Sequence, residues 1–194
     1  GWTVVRKDVP RHDDRANEAA NAVNKQNLAA IRSMLKAEQA AGAKGVFLVG
    51  HVTIPYSGYH NADGHGTHIG AWPADAYYGD MDGLWTDHAV NYVQMINSDA
   101  ADAARISNRP GDGKFDQTTL PSNVELEVGR VDLSKVYGRL TWGGPATVPS
   151  ELELLRKYLN KDHNFRHRRL NTARRAIVGD YFGYRGGEAF AASG

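Results

Sequence analysis

Short apolar runs that end at a polar residue constrain the fold of this chain more than any other feature. Three of them stand out: residues 46–49 before Gly50-His51, residues 124–131 before Asp132, and residues 176–178 before Gly179-Asp180. Such runs are typical of strands in a mostly parallel sheet. Open sheets of this kind place their ligands beyond the carboxyl ends of the strands. We therefore predict that His51, Asp132 and Asp180 share one ligand-bearing edge.

Helical patterns lie between these strands. Asp13-Asp14 precede a long helical pattern that runs to about Ala41, in which apolar residues recur at three- and four-residue steps and so lie on one helix face. Ser150 and Glu153 form a capping box that starts a second helix, with a predicted buried stripe of Leu152, Leu155 and Leu159. Residues 2–9 are rich in β-branched side chains and predict another strand. This order predicts one α/β domain over residues 1–194, with a mostly parallel sheet and helices on both faces.

Composition excludes several classes of protein. The 194 residues are 41% hydrophobic and 23% charged, as in ordinary globular proteins, and the net charge is +1. This charge gives no reason to expect a nucleic acid or an anionic membrane as partner, and no apolar stretch approaches the ~20 residues that span a bilayer. The chain has no cysteine, so disulfides and a thiolate nucleophile are excluded within it.

Residues 51–122 form a long excursion rich in Gly, Asp, Asn, His, Pro and aromatic residues. A loop this long in a compact domain is expected to be functional or ordered by bound ions. Two Asp-Gly turns resemble parts of calcium loops, in which carboxylate oxygens converge around a glycine turn. The predicted calcium ligands are Asp80, Asp82, Asp87, Asp112 and Asp116. The alternative is that both segments are turns that need no ion.

A second candidate metal site in the excursion combines imidazoles and a carboxylate. Its residues are His60, Asp63, His65 and His68, which lie within nine positions of one another. These ligand types suit zinc or copper. The alternative is a set of solvated loop histidines.

Aromatic residues crowd the same excursion. Aromatic rings beside carboxylates are typical of sugar-binding grooves, where the rings stack on pyranose faces while the carboxylates take hydroxyls or act as acid and base. The predicted stacking residues are Trp72, Tyr77, Tyr78 and Trp85. The alternative is that these rings form the core of the loop layer.

The order of several short motifs resembles the gingipain-type cysteine peptidases, relatives of the caspase fold, from about residue 40 to residue 179. The motifs are a Leu-Val-Gly strand, Ile54-Pro55, the Asp75 to Tyr78 element, Gly129-Arg130, a Leu-Arg-Lys-Tyr-Leu helix and an Arg-Arg-Ala-Ile-Val-Gly strand. The resemblance implies a caspase-like sheet, a secreted or periplasmic protein and a peptide substrate. In that family the catalytic histidine and cysteine come later in the chain, so the resemblance assigns no catalytic residue here.

Three functional hypotheses follow from the sequence. The first is the N-terminal portion of a gingipain- or caspase-like hydrolase domain that lacks the catalytic cysteine and is stabilised by calcium. The second is a polysaccharide-active or carbohydrate-binding protein that uses residues 51–122. The third is a His/Asp metal-dependent hydrolase. For the first hypothesis we expect a missing C-terminal piece or self-association, because an incomplete sheet presents an unpaired edge.

Overall fold

A computed structural model describes residues 2–15, 17–61, 69–93, 106–136 and 149–170 of the chain. In chain order its elements are helix α1 (Glu18–Ala40), strands β1 (Gly45–Val49), β2 (Tyr56–Asn61) and β3 (Ile69–Pro73), a 3₁₀ helix (Asp75–Tyr78), strand β4 (Glu127–Val131) and helix α2 (Glu151–Arg166). The chain divides into two compact units, Gly1–Leu155 and Arg156–Gly194, and the boundary falls inside α2. The predicted strand at residues 176–178 lies outside the described residues.

Helix α1 confirms the periodic apolar pattern, with Ala20, Leu28, Ile31 and Leu35 buried. The helix follows Asp13-Asp14, as predicted, and its N-cap is Asn17, whose side chain accepts a hydrogen bond from Ala20 N at 2.9 Å. The helix ends before Gly42, whose φ of +105° suits a residue without a side chain.

Strands β1 and β4 pair in parallel, with a register that runs from Gly45 opposite Glu127 to Val49 opposite Val131. This pair and the two helices confirm a mixed α/β fold with a small parallel sheet. One face of β1 packs on the core through Leu48, whereas Phe47 and Val49 on the other face are 54% and 46% exposed. Helices on both faces of the sheet are therefore not found within the described ranges.

Strands β2 and β3 form an antiparallel hairpin that the sequence patterns did not predict. The register shifts between Ser57 and His60, and Gly58 in this bulge has a φ of +87°. A Cβ atom on Gly58 would lie 2.8 Å from Gln117 O, so only glycine fits this approach of two backbones. Strand pairing thus orders residues 56–61 and 69–73 of the excursion.

The predicted strand at residues 2–9 is wrong. These residues are almost all exposed and make no strand ladder with any segment that the structure describes, so no sheet surface there packs on their β-branched side chains. The first contact of this part of the chain with a strand-like segment is an isolated antiparallel bridge between Arg11 and Val52.

The core joins α1, β1, β4 and the 3₁₀ helix. Tyr77 stacks on Phe115 with ring centroids 4.7 Å apart, and the buried Tyr78 hydroxyl donates to Thr53 O at 2.6 Å. Arg130 on β4 forms a two-pronged ion pair with Asp75, at 2.6 and 2.8 Å. The Asp75 to Tyr78 and Gly129-Arg130 motifs therefore pack on each other.

Helix α2 begins with the predicted capping box, in which Ser150 N donates to Glu153 Oε2 at 2.7 Å. The prediction of a buried leucine stripe is wrong, since Leu152 and Leu159 are 55% and 43% exposed and α2 has no buried residue. A periodic stripe defines a face, but burial also requires a surface that covers it. In the described part of the chain, no helix is both long and apolar enough to cross a membrane.

Candidate functional site

His51 lies directly beyond the carboxyl end of β1 and is the centre of a polar cluster. Gly50 makes the turn before it with a φ of +84°, and the Gly50 N–H donates to Val131 O of β4 at 2.9 Å. His51 is only 3% exposed, and its Nδ1 lies 2.5 Å from Asp132 Oδ2. Because β1 and β4 are parallel neighbours, the residues that follow them meet at one edge, and this pairing of His51 with Asp132 follows from the sheet.

Asp132 is held in place by Ser134. The Ser134 N–H and hydroxyl both donate to Asp132 Oδ1, at 3.0 and 2.6 Å. Burial by itself would raise the pKa of Asp132, but the hydrogen bonds from Ser134 and His51 outweigh it and lower this pKa to about 2. Asp132 is therefore an ionised acceptor at neutral pH, and a hydrogen bond with His51 requires a proton on Nδ1.

Asp14 faces the other ring nitrogen of His51. Its carboxylate lies 3.2 Å from His51 Nε2, and Lys135 Nζ donates to Asp14 Oδ1 at 2.5 Å. Burial acts to raise the pKa of Asp14, but the hydrogen bonds from Lys135 and His51 leave it below its ordinary value. The imidazole of His51 is thus placed between two carboxylates, one on each nitrogen.

His12 completes the cluster with its ring edge-on to that of His51, at a centroid distance of 5.5 Å. The Ile54 N–H donates to His12 Nδ1 at 3.2 Å, so this nitrogen carries no proton. Burial lowers the pKa of His12 to about 4, the nearby charges acting in both directions. His12 is consequently a neutral packing partner of His51 at neutral pH.

The arrangement suits proton transfer at His51 better than nucleophilic attack by Ser134. A catalytic serine must give its proton to the histidine nitrogen that the carboxylate does not occupy. Ser134 Oγ instead lies 3.1 Å from Nδ1, on the side of Asp132, and donates to Asp132. Ser134 therefore orients the Asp132–His51 pair, and Nε2 is the nitrogen that can exchange a proton with another molecule.

Of the predicted ligand-edge residues, the structure brings His51 and Asp132 together, and Asp180 lies outside the described residues. The sequence patterns did not identify four other members of the cluster: His12, Asp14, Ser134 and Lys135. Ser134 has a recognisable signal, since a serine two residues after an aspartate commonly bonds back to it. Asp14 stands before the predicted helix, and the sequence patterns give it no other role.

The five predicted calcium ligands all lie in the described ranges, where no group of three or more carboxylates is arranged to hold a metal ion. Asp116 accepts four hydrogen bonds, from Thr86 Oγ1 and from the N–H groups of His88, Ala89 and Val90, at 2.8 to 3.1 Å. A carboxylate has about four acceptor sites, so the four hydrogen bonds from this loop occupy the acceptor sites of Asp116. These donors outweigh the effect of burial and lower the pKa of Asp116 to about 2.

The other carboxylates of this set also face hydrogen-bond donors. Asp80 is completely buried and accepts from Gly83 N, Ser122 Oγ and Trp85 Nε1. Asp87 accepts from Gly111 N, Gly113 N and Lys25 Nζ, and Asp112 accepts from Lys114, whereas Asp82 is exposed. These oxygens face N–H and hydroxyl donors, whereas a calcium site directs carboxylate oxygens at the cation. Calcium binding stays a prediction without geometric support.

The predicted zinc or copper site is described only in part. His60 lies on β2, whereas Asp63, His65 and His68 lie outside the described residues. Over the ranges that the structure covers, no group of three or more His, Asp or Glu side chains is arranged to hold a metal ion. The transition-metal hypothesis therefore stays a prediction.

The four predicted stacking residues fall into two classes. Tyr77 and Tyr78 are 4% and 0% exposed and belong to the core, so their faces are not available to a sugar. Trp72 and Trp85 instead line a cleft of about 200 Å³, together with Ser57, His60, Gln117 and Thr118. The structure thus narrows the candidate stacking residues to the two tryptophans.

Comparisons with family models, with curated proteins and with solved structures give no match for this chain. The function of the chain is therefore inferred from its own geometry.

Proposed function

We propose that this chain belongs to a hydrolase domain in which His51, oriented by Asp132, is the general acid–base group. One observation carries the proposal: a buried imidazole beyond the end of β1 has its Nδ1 2.5 Å from the Asp132 carboxylate. A carboxylate that fixes one ring nitrogen also fixes the direction in which the other nitrogen can take or give a proton.

The proposed reaction uses water as the nucleophile. Nε2, when it carries no proton, takes one from water as the water oxygen attacks the substrate, and the same proton then passes to the leaving group. Thiolate chemistry cannot come from these residues because the sequence has no cysteine. Ser134 is engaged with Asp132 and is a positioning residue in this scheme.

The proposal also includes a gingipain- and caspase-like fold, a peptide substrate and a secreted or periplasmic location. The order of the motifs supports this fold, as does the parallel pairing of the two strands that carry the Leu-Val-Gly and Gly-Arg motifs. The ion pair between Arg130 and Asp75 joins two further motifs of that order. The resemblance to gingipains and caspases concerns the fold, whereas the proposed chemistry is that of His51.

Hydrolysis by variants of the full 194-residue chain tests the proposal. Peptide, ester and glycoside reporter substrates are assayed with the wild type and with Asp14→Ala. This variant lacks the carboxylate that faces His51 Nε2 in the wild type. General acid–base groups contribute about 10²–10⁴-fold to rate, so His51→Asn should lower kcat/KM by a factor in that range. Asp132→Asn should act in the same direction.

His88→Asn is the matched control, because the His88 side chain is 74% exposed and lies away from the cluster. It should leave kcat/KM unchanged. Hydrolysis that survives His51→Asn, or the lack of hydrolysis by both the wild type and Asp14→Ala, overturns the proposed function.

A second candidate function, carbohydrate binding, is favoured by the cleft that Trp72 and Trp85 line. Titration calorimetry with soluble oligosaccharides should show binding that Trp72→Ala removes and that Trp2→Ala retains. Trp2 is the appropriate control because it is 83% exposed. Binding that both variants retain would rule out this cleft as the site.

A further inference from the structure

Residues 10–15 lie as an extended strap across the carboxyl end of β1. Arg11 bridges Val52, the His12 N–H donates to His51 O at 2.9 Å, and the Ile54 N–H donates back to the His12 ring. Asn24 of α1 holds the strap from the other side, since its side chain both accepts from Asp13 N and donates to Asp13 O, each at 2.9 Å. The backbone of the strap is thus fixed at two places.

The side chain of Asp14 is held less firmly than this backbone. It is 48% exposed, and its strongest partner, Lys135, is 65% exposed. Ion pairs between exposed side chains are weak and are screened by salt. The carboxylate of Asp14 can therefore leave His51 without any change in the hydrogen bonds of the strap backbone.

Two donors from different strands converge on the position that Asp14 occupies. His51 follows β1 and Lys135 follows β4, and both direct a nitrogen at the same carboxylate. An ammonium group and an imidazole N–H can both donate to one carboxylate. The same pair of donors would hold the carboxylate of another molecule in the same way.

We propose that His51 Nε2 and Lys135 Nζ form a binding position for a ligand carboxylate, and that the Asp14 carboxylate of the same chain occupies this position in the absence of a ligand. The strap is then an intramolecular competitor, and the external ligand is a carboxylate-bearing molecule such as an acidic peptide. The binding position stands on its own contacts; only its catalytic consequence, control of access to the nitrogen that transfers protons, rests on the proposed function.

The test measures the chemical accessibility of His51 in the full chain. Diethyl pyrocarbonate acylates unprotonated imidazole nitrogens, and peptide mass spectrometry resolves the modification of each histidine. Asp14→Ala should raise the rate at His51 about fivefold, the factor that corresponds to a contact worth about 1 kcal/mol. Sodium acetate should slow the reaction of this variant at His51, and sodium chloride at equal ionic strength should not.

Asp13→Ala is the matched control, since Asp13 is adjacent, carries the same charge and directs its carboxylate at Arg15 instead of His51. It should leave the rate at His51 near that of the wild type. Circular dichroism checks that each variant is folded, and Asp14→Asn, which keeps the size of the side chain, replaces Asp14→Ala if that variant is not.

Equal rates in the Asp13 and Asp14 variants would show that Asp14 does not cover His51 and would overturn the proposal. Equal protection by acetate and chloride would overturn the carboxylate specificity. Neither result depends on hydrolysis. A failure of the binding position is therefore distinct from a failure of the proposed function, which the His51→Asn assay decides.

Discussion

At the scale of single residues, His12 shows how burial sets a protonation state that the fold then depends on. Its Nδ1 accepts a hydrogen bond from Ile54 N, which only an unprotonated nitrogen can do. The charged groups near it are Asp13, Asp14, His51 and Lys135. Burial nevertheless dominates and lowers the pKa of His12 from 6.5 to about 4.

The stability of the wild type should therefore fall as the pH is lowered from about 6.5 to 4. In this window the unfolded chain binds a proton at His12 and the folded chain does not, so the free energy of unfolding rises with pH. The contribution is at most about 3 kcal/mol, complete above pH 6.5 and lost as the pH approaches 4. The free energy of unfolding, measured by urea unfolding across this range, should change less with pH for His12→Asn than for the wild type. The same pH dependence in both proteins would contradict the assignment of a neutral, buried His12.

The ion pair between Asp75 and Arg130 gives a second prediction at this scale. Its side chains are 29% and 16% exposed, and it joins the 3₁₀ helix to β4. Asp75→Ala should lower the free energy of unfolding by about 1.5–3 kcal/mol, the usual range for hydrogen bonds to charged groups. Asp8→Ala breaks an ion pair whose two side chains are about 85% exposed, and it should change stability by less than about 0.5 kcal/mol. Similar losses in the two urea unfolding curves would argue against a structural role for this pair.

At the scale of elements, carboxylates organise the loops between the strands by accepting N–H groups. Asp116 gathers three consecutive N–H groups from residues 88–90, and Asp87 accepts from Gly111 and Gly113. Each carboxylate replaces the partners that these N–H groups would have in a helix or sheet. These contacts and the pairing of β2 with β3 order the described part of the excursion.

Asp116→Ala should consequently destabilise the chain by about 1.5–3 kcal/mol, the usual range for hydrogen bonds to a charged group. Asp82→Ala, at an exposed position of the same charge, should have little effect on the melting temperature. The calcium hypothesis predicts a different pattern. In that case a chelator would lower the melting temperature of the wild type, and Asp82→Ala would abolish the difference.

At the scale of the whole molecule, the sequence predicts the parts of the fold that depend on local periodicity. The apolar face of α1, the strand β1 and the capping box of α2 follow from side-chain spacing and capping chemistry, and the structure confirms them. His51 and Asp132 were expected at one edge because parallel neighbouring strands end side by side. The structure places them within hydrogen-bond distance.

The remainder depends on contacts between distant segments, which periodicity does not encode. Residues 2–9 have strand-forming side chains but no partner strand among the described residues, and Leu152 and Leu159 are exposed there. Asp14 precedes a helix, as an N-cap does, yet its side chain meets His51 through a strap that only the folded chain creates. The sequence therefore predicts the members of the polar cluster that directly follow the strands, His51 and Asp132, but not the members that lie in the strap, His12 and Asp14.

The measurement that tests the central claim most directly is the protonation of the two His51 ring nitrogens, observed by ¹⁵N NMR of the full chain. We predict that Nδ1 carries a proton that it donates to Asp132, and that Asp132→Asn weakens this hydrogen bond while Asp13→Asn leaves it unchanged. An Nδ1 without a proton, accepting instead from the Ser134 hydroxyl 3.1 Å away, would contradict the account, because Asp132 would then not orient His51 for acid–base chemistry.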